Sequence, residues 1–461
     1  MLFKDTIAAI STAAGMGAIG LVRMSGPQAL SIADELFLGK KLSNQASHTA
    51  HFGRFYNMSA HDPDARLIDE VVITLFLGGK SFTGEDTVEI AAHGSPYILK
   101  EILEACVSKG ARLAGPGEFT QRAFLNGKLD LAQAEAVGDL IAAETKASHE
   151  IALNQMRGGV SNELAALRDQ LINFTALLEL ELDFSDEDVE FADRTQLNIL
   201  IQNLQSKIHN LIQSFEYGNA IKNGVPVAII GKPNAGKSTL LNALLKEERA
   251  IVSDIAGTTR DVIEEAINID GITFRFIDTA GIRETEDTIE AIGVHRAKEK
   301  VTQAKVVIHL YETNNELLEE LSESLEGKIV FNLVSKIDKN TWADDAYQNT
   351  LKAKYPDFHH FGISVKEGKN IDLLTQLLVE QFKNQAGENA VVITNARHKD
   401  ALEQAKQALA QVAVGMQMGL TGDLLSLHLK DALYHLGTIT GRIEVDRDIL
   451  GAIFGKFCIG K

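Results

Sequence analysis

Val227-Ala228-Ile229-Ile230-Gly231-Lys232-Pro233-Asn234-Ala235-Gly236-Lys237-Ser238-Thr239, residues 227–239, joins a β-branched run, a glycine loop of the form GxxxxGK[ST] and the first turn of a leucine-bearing helix that continues to Leu245. Strand, loop and helix in that order are the context a phosphate-binding loop needs. The N–H groups of Asn234, Ala235, Gly236, Lys237 and Ser238 are expected to face a concavity at the helix N-terminus, where the helix dipole favours an anion. Lys237 would reach the β- and γ-phosphates of a nucleotide, and Ser238 would ligate Mg²⁺. A glycine turn without ligand is the competing reading, and the completeness of the match weighs against it.

Downstream, Gly257-Thr258-Thr259-Arg260-Asp261 lies where a nucleotide switch would place a mobile loop, and Ser253, Asp254, Ile255 and Ala256 just before it are assigned to the GTP site with Gly257, Thr258 and Thr259. Thr259 is the candidate to close over the γ-phosphate and Mg²⁺. The strand Phe274 to Ile277 is read as one arm of a hairpin turned at Asp270-Gly271. It leads into Asp278-Thr279-Ala280-Gly281, with Asp278 expected to hold a water on Mg²⁺ and the Gly281 N–H to sense the γ-phosphate. Base choice is assigned to Ser335-Lys336-Ile337-Asp338, because the Asp338 carboxylate can accept two hydrogen bonds from guanine and would be left unpaired by adenine. Ser335 stands where the usual string has Asn, which should weaken affinity while leaving selectivity in Asp338. Ser364-Val365-Lys366 fits the last base-contacting loop. The order of these segments predicts GTP as substrate and hydrolysis as reaction.

Ile282 follows Gly281, at the position where a glutamine would orient the attacking water. An aliphatic side chain cannot do so, and no arginine finger is identifiable. A monovalent cation held by the Asn234 side chain and by carbonyls of the 253–258 loop is a candidate source of the missing positive charge.

The chain has 461 residues, 45% hydrophobic and 23% charged, which suits a globular protein of about three domains. Its formal charge of −18 argues against unspecific adhesion to nucleic acid, while a local basic patch would still permit a nucleic-acid substrate. Only Cys106 and Cys458 occur, so neither a disulfide framework nor a zinc cluster is expected, and a cytoplasmic location fits. No apolar run approaches the ~18 residues of a membrane span, and the short run Ile7 to Ile10 does not read as a signal peptide.

Three parts are expected along the chain. Residues 1–128 mix strands (Ala18 to Met24, Glu70 to Leu77, Thr87 to Ala92) with an amphipathic helix over Tyr97 to Val107. From 129 to 223 long helices take over, marked by Leu164, Leu167, Leu171, Phe174, Leu178 and Leu182, and the acidic run 183–188 is read as a solvated loop between them. Residues 224–382 form the nucleotide-binding domain. Helices resume over 383–461, at Ala401 to Met418, Asp423 to Leu436 and Asp448 to Phe457. The fold class is thus α/β plus α: an N-terminal α/β domain, a helical bundle built from two segments, and a Ras-like P-loop domain with a mixed sheet inserted between them.

The chain resembles the MnmE (TrmE) tRNA-modification GTPases over essentially its whole length. The resemblance rests on residues 231–238, 254–261 and 278–283, on Ser81-Phe82-Thr83-Gly84-Glu85-Asp86, on Pro116-Gly117-Glu118-Phe119, on 122–126 and 129–136, and on the ending Phe457-Cys458-Ile459-Gly460-Lys461. It implies a homodimer with GTPase domains meeting across K⁺-stabilised switches, K⁺ lying at Asn234, Ser253, Ile255 and Thr258 and Mg²⁺ at Ser238 and Thr259. It implies Glu290 as catalytic carboxylate, filling the gap left by Ile282. A tetrahydrofolate derivative, in a 5-formyl or methylene form, is implied at Arg23, Glu89, Lys128 and Lys461, with Cys458 near the one-carbon chemistry. By resemblance, an FAD-containing partner, MnmG, joins in a heterotetramer or larger assembly to add a carboxymethylaminomethyl group at C5 of the wobble uridine of certain tRNAs. A ribosome-assembly GTPase and a mechanical scaffold GTPase without folate remain the alternatives at this point.

Overall fold

The computed structural model describes residues 4–183, 194–247, 265–277, 290–312, 318, 320–339, 345–383, 391–441 and 460. By contact density the chain divides into two compact units, one of residues 1–142, 152–206 and 400–461, the other of residues 143–151 and 207–399. The main segment of the second thus interrupts the first along the chain. The expected acidic loop after Asp183 and the helix Asp448 to Phe457 lie outside the described residues.

The first unit opens with strands β1 (Ile7–Ile10), β2 (Ile19–Ser25), β3 (Phe37–Leu38), β4 (Thr49–Tyr56), β5 (Leu67–Phe76), β6 (Thr87–His93) and β7 (Arg112–Leu113). They form one seven-stranded sheet in the order β3-β4-β5-β6-β2-β1-β7. All its neighbours are antiparallel except β1 and β7. Alternation along β4 and β5 sends Phe55, Val71, Ile73 and Leu75 into the core while Phe52, Arg54 and Val72 face outward. Such one-sided burial is the usual state of an antiparallel sheet. The covered face packs on helices α1 (Ala29–Leu36) and α2 (Pro96–Ser108), which supply Ile32, Leu36, Leu99 and Ile102.

Helix α3 (Glu118–Leu125) and helix α4 (Leu131–Ile141) follow. Asp130 caps α4 by accepting from the Gln133 N–H at 2.9 Å, while the Gln133 side chain accepts from the Asp130 N–H at 3.0 Å. After α5 (Lys146–Met156), the leucine spacing produces α6 (Gly159–Asp183), whose Leu164, Leu167, Leu171 and Leu178 are fully buried. It packs with the helix Gly422–Thr440, and Arg168 donates to the Leu433 carbonyl at 3.0 Å.

In the second unit, β8 (Val225–Ile230), β9 (Glu265–Ile269), β10 (Ile272–Phe276), β11 (Val306–Tyr311), β12 (Ile329–Val334) and β13 (His359–Gly362) form a mixed sheet in the order β13-β12-β11-β8-β10-β9. Only β9 runs antiparallel, paired with β10 through a turn in which Asp270 has φ 54° and Gly271 φ 90°. Two consecutive left-handed residues suit the right-handed twist of the flanking strands. The central strands are buried on both faces. Val225, Val227, Ile229, Val306, Ile308 and Leu310 enter one core with Phe331 and Leu333, whereas Ala228, Ile230, Val307 and Val330 enter the other. Near-continuous apolar runs are therefore what these strands require.

This unit is wider than the span 224–382. Helix α7 (Arg194–Asn223) contributes Ala220 and Ile221 to its core, and Ser214 accepts from the Ile393 N–H at 3.1 Å. Among the described residues, no helix is long and apolar enough to cross a membrane.

Candidate functional site

The chain leaves β8 for β10 on one side and β11 on the other, which opens a crevice beyond the carboxyl ends of the strands. Ligands of open α/β sheets bind at such reversals of strand order. The glycine loop begins there. Gly231 has φ 151°, and a Cβ on it would stand 2.3 Å from the Leu310 carbonyl oxygen, so β11 passes too close for any side chain. Asn234 at φ 63° and Gly236 at φ 99° then turn the backbone into α8 (Lys237–Glu247).

Lys237 Nζ donates to the carbonyls of Gly231 at 2.8 Å and Lys232 at 2.9 Å, which holds its charge over the loop. Burial, aided by the charge of Lys300, lowers its pKa. An ammonium so desolvated gains from an anion at the loop, because the anion restores the stabilisation that water supplied. Ala235 is buried, Ser238 is half-buried, and Asn234 and Thr239 are exposed.

The segment Ser335 to Asp338, expected to read guanine, follows β12. Ser335 is buried, its N–H and hydroxyl donating to the Tyr311 carbonyl at 2.8 and 3.3 Å. Asp338 Oδ1 accepts from the Ser364 hydroxyl at 2.7 Å. That bond, with the charges of Lys366 and Lys339 adding to it, holds the Asp338 carboxyl below its usual range despite some burial, so it remains an acceptor at neutral pH. Ser364 itself is fully buried and bridges Lys369 through backbone bonds of 3.2 and 2.9 Å, which fixes the hydroxyl that orients Asp338. Val365 packs against the core beneath. Lys336 donates to the Asn234 carbonyl at 2.6 Å, joining the phosphate loop to the guanine loop across 102 residues of sequence. Its other partner, Glu312, is marked by no motif, and only the adjacency of β11 and β12 brings it near.

Behind the loop, the fully buried His309 is kept neutral: burial pushes its pKa down to about 4, the nearby Lys237 charge acts the same way, and the bond to Asn332 opposes them. His309 Nδ1 donates to Asn332 Oδ1 at 2.8 Å, Asn332 Nδ2 donates to His360 Nδ1 at 3.2 Å, and His360 Nε2 donates to the Tyr355 carbonyl at 3.0 Å. The row links polar side chains of three adjacent strands through hydrogen bonds.

Glu290 opens the helix Glu290–Gln303, and its side chain is outside the description. Ser253, Asp254, Ile255, Ala256, Gly257, Thr258, Thr259, Asp278, Thr279, Ala280, Gly281, Cys458 and Lys461 also lie outside the described residues.

In the first unit, Arg23 on β2 and Glu89 on β6 are cross-strand partners, with Arg23 Nε and NH2 at 2.9 and 2.7 Å from Glu89 Oε1. The guanidinium lies over the Phe119 ring, 5.7 Å from its centroid. The stem of Lys128 covers Gly84, where a Cβ would meet its Cε at 3.2 Å. Gly460 accepts from the Ser11 hydroxyl at 3.0 Å, which brings the residue before Lys461 to the end of β1. Cys106 is buried and its thiol pushed up to about 12 by burial, which suits packing rather than chemistry.

The sequence motifs around 81–86 and 116–122 hold this sheet together. Arg122 is fully buried and donates to Glu85 at 3.2 Å, to Asp5 Oδ1 at 2.9 Å and to Glu118 at 3.0 Å. Glu85 accepts from the Ser25 hydroxyl at 2.7 Å, two residues along β2 from Arg23. Burial pushes the Glu118 carboxyl up, but Arg112, the Gly115 N–H and Arg122 outweigh it and hold the group below its usual range.

Similarity to known proteins bears on what these sites serve. The TrmE N-terminal family profile matches residues 6–128, and the MnmE helical-domain profile matches residues 131–458. A "tRNA modification GTPase MnmE" of Cytophaga hutchinsonii is 52% identical over 463 residues, covering 99% of this chain and 98% of that one. The chain belongs to the MnmE family. Proteins of the same name from Flavobacterium johnsoniae and Bacteroides fragilis are 47% and 48% identical, over 100% and 99% of this chain and the full length of each relative. The described residues include no group of three or more His, Cys, Asp and Glu placed to hold a metal. Of the expected K⁺ and Mg²⁺ ligands, only Asn234 and Ser238 are described.

Proposed function

We propose that this chain is a K⁺-dependent GTPase which, with an FAD-containing MnmG partner, adds a carboxymethylaminomethyl group at C5 of the wobble uridine of certain tRNAs. The observation that carries the reading is full-length identity to a relative named a tRNA modification GTPase, at 52% over 99% of the chain. The bond from Lys336 to the Asn234 carbonyl supports it, since it joins the glycine loop to the segment that carries Asp338.

On this reading residues 224–382 form the GTPase domain, 129–223 and 383–461 the helical domain, and 1–128 the folate and dimerisation domain of a cytoplasmic homodimer. Lys237 and the loop amides bind the phosphates, Ser238 and Thr259 hold Mg²⁺, and Asn234 with Ser253, Ile255 and Thr258 holds K⁺. The exposed left-handed Asn234 at the loop mouth suits a cation ligand, because an amide oxygen there needs no burial cost. The residues that would hold K⁺ would thereby bring positive charge to the transition state, and Glu290 would orient water in place of the glutamine that Ile282 replaces.

A tetrahydrofolate derivative fits Arg23, Glu89, Lys128 and Lys461 chemically. The Arg23–Glu89 pair stands at 22% and 21% side-chain exposure, so a pterin edge can reach Glu89 while the guanidinium serves the glutamate tail. The Gly460 contact with Ser11 sets Gly460 at the end of β1, the strand next to β2. Cys458 would stand near the one-carbon group.

Nucleoside analysis of tRNA from cells lacking the protein tests the whole reading. Loss of the modified wobble uridine is expected, and unchanged uridines would overturn it. Hydrolysis should also run faster in KCl than in NaCl, with Asn234→Ala removing most of the difference.

A further inference from the structure

Lys336 and Asn234 are both non-glycine residues in the left-handed region, at φ 58° and φ 63°. That conformation is unfavourable for a residue with a Cβ and persists where surrounding contacts over-determine it. Here one hydrogen bond joins the two, from Lys336 Nζ to the Asn234 carbonyl at 2.6 Å. Ser335 turns its hydroxyl to Tyr311 of β11, so the contact between loops falls to the lysine. A lysine is a point charge on four rotatable bonds and needs a second partner to stay in one place. Glu312, the residue after β11, supplies it with an ion pair to the same Nζ.

We infer that Glu312 is a positioning residue for the nucleotide: it fixes the Lys336 ammonium on the Asn234 carbonyl and so sets the spacing between the phosphate loop and the guanine loop. Guanine and phosphates are tethered within one ligand of limited reach. A fixed spacing therefore favours the bound state without touching the reacting atoms, and its loss appears as faster release of GDP and GTP alike. The pair stands at 30% and 36% side-chain exposure, so its contribution is screened by salt.

The test uses the full chain and a fluorescent GDP analogue followed by stopped flow. Glu312→Gln keeps the shape and removes the charge. It is expected to speed dissociation of both nucleotides about fivefold and to raise KM in proportion, with kcat nearly unchanged, and the difference from wild type should shrink in choline chloride at high concentration. Glu312→Asp, which keeps the carboxylate one methylene shorter, should fall between the two. A general weakening of the fold would not respond to salt in this way, nor spare kcat. Wild-type dissociation rates in both variants, or a loss confined to kcat, would overturn the assignment.

Discussion

On the proposed reading Asp338 decides the base through two lone-pair directions, and the Ser364 hydroxyl, which donates to one carboxylate oxygen, aims the group. Asp338→Asn presents a donor to the donors of guanine, so GTP affinity should fall by about 10- to 100-fold with the phosphate loop intact. Competition of GTP against ATP by calorimetry checks it, and retained preference would refute the role. His309 offers a pH test. Its folded pKa of about 4 lies below the unfolded 6.5, so the folded state binds fewer protons in that window. Its contribution is complete above pH 6.5 and is lost as the pH falls toward 4, by about 3 kcal/mol in all. Urea midpoints at pH 7.5 and 4.5 should therefore differ less in His309→Leu than in wild type.

At the scale of elements, the glycine loop and the Asp270-Gly271 turn are read from sequence because each needs backbone conformations few residues adopt. Gly271→Val forces a β-branched residue to φ 90° and should cost about 1–2 kcal/mol, seen as a lower melting temperature. The helices were legible for a different reason: apolar spacing over α6 states which side is buried, and burial followed it. Segments 81–86 and 116–122 could be recognised as motifs but not explained. Their charges meet only when β2, β6, β7 and α3 are assembled around Arg122. Arg122→Met leaves Glu85 and Glu118 without their buried cation and should cost about 3–5 kcal/mol by chemical denaturation.

Across the whole molecule, the interruption of one compact unit by another was foreseeable from helical patterning on both sides of the nucleotide motifs. The extent of the inserted unit was not. Ala220 and Ile221 read as the end of a helix, yet both are 3% exposed within the core of the second unit. A fragment of residues 207–399 should thus melt cooperatively and above one of residues 224–382, with the missing burial worth about 2–3 kcal/mol. Equal melting temperatures would show that the extra segments are passive. Sequence by itself determined the family, the strand–glycine loop–helix at 227–245 and the strands β2, β5, β6, β8 and β10, because each is encoded by local spacing or by backbone geometry that particular residues demand. Only tertiary structure decided that Glu312 meets Lys336, that Ser364 aims Asp338 and that Arg23 pairs with Glu89. Those contacts join residues tens of positions apart, and strand order, which no local pattern records, sets them side by side.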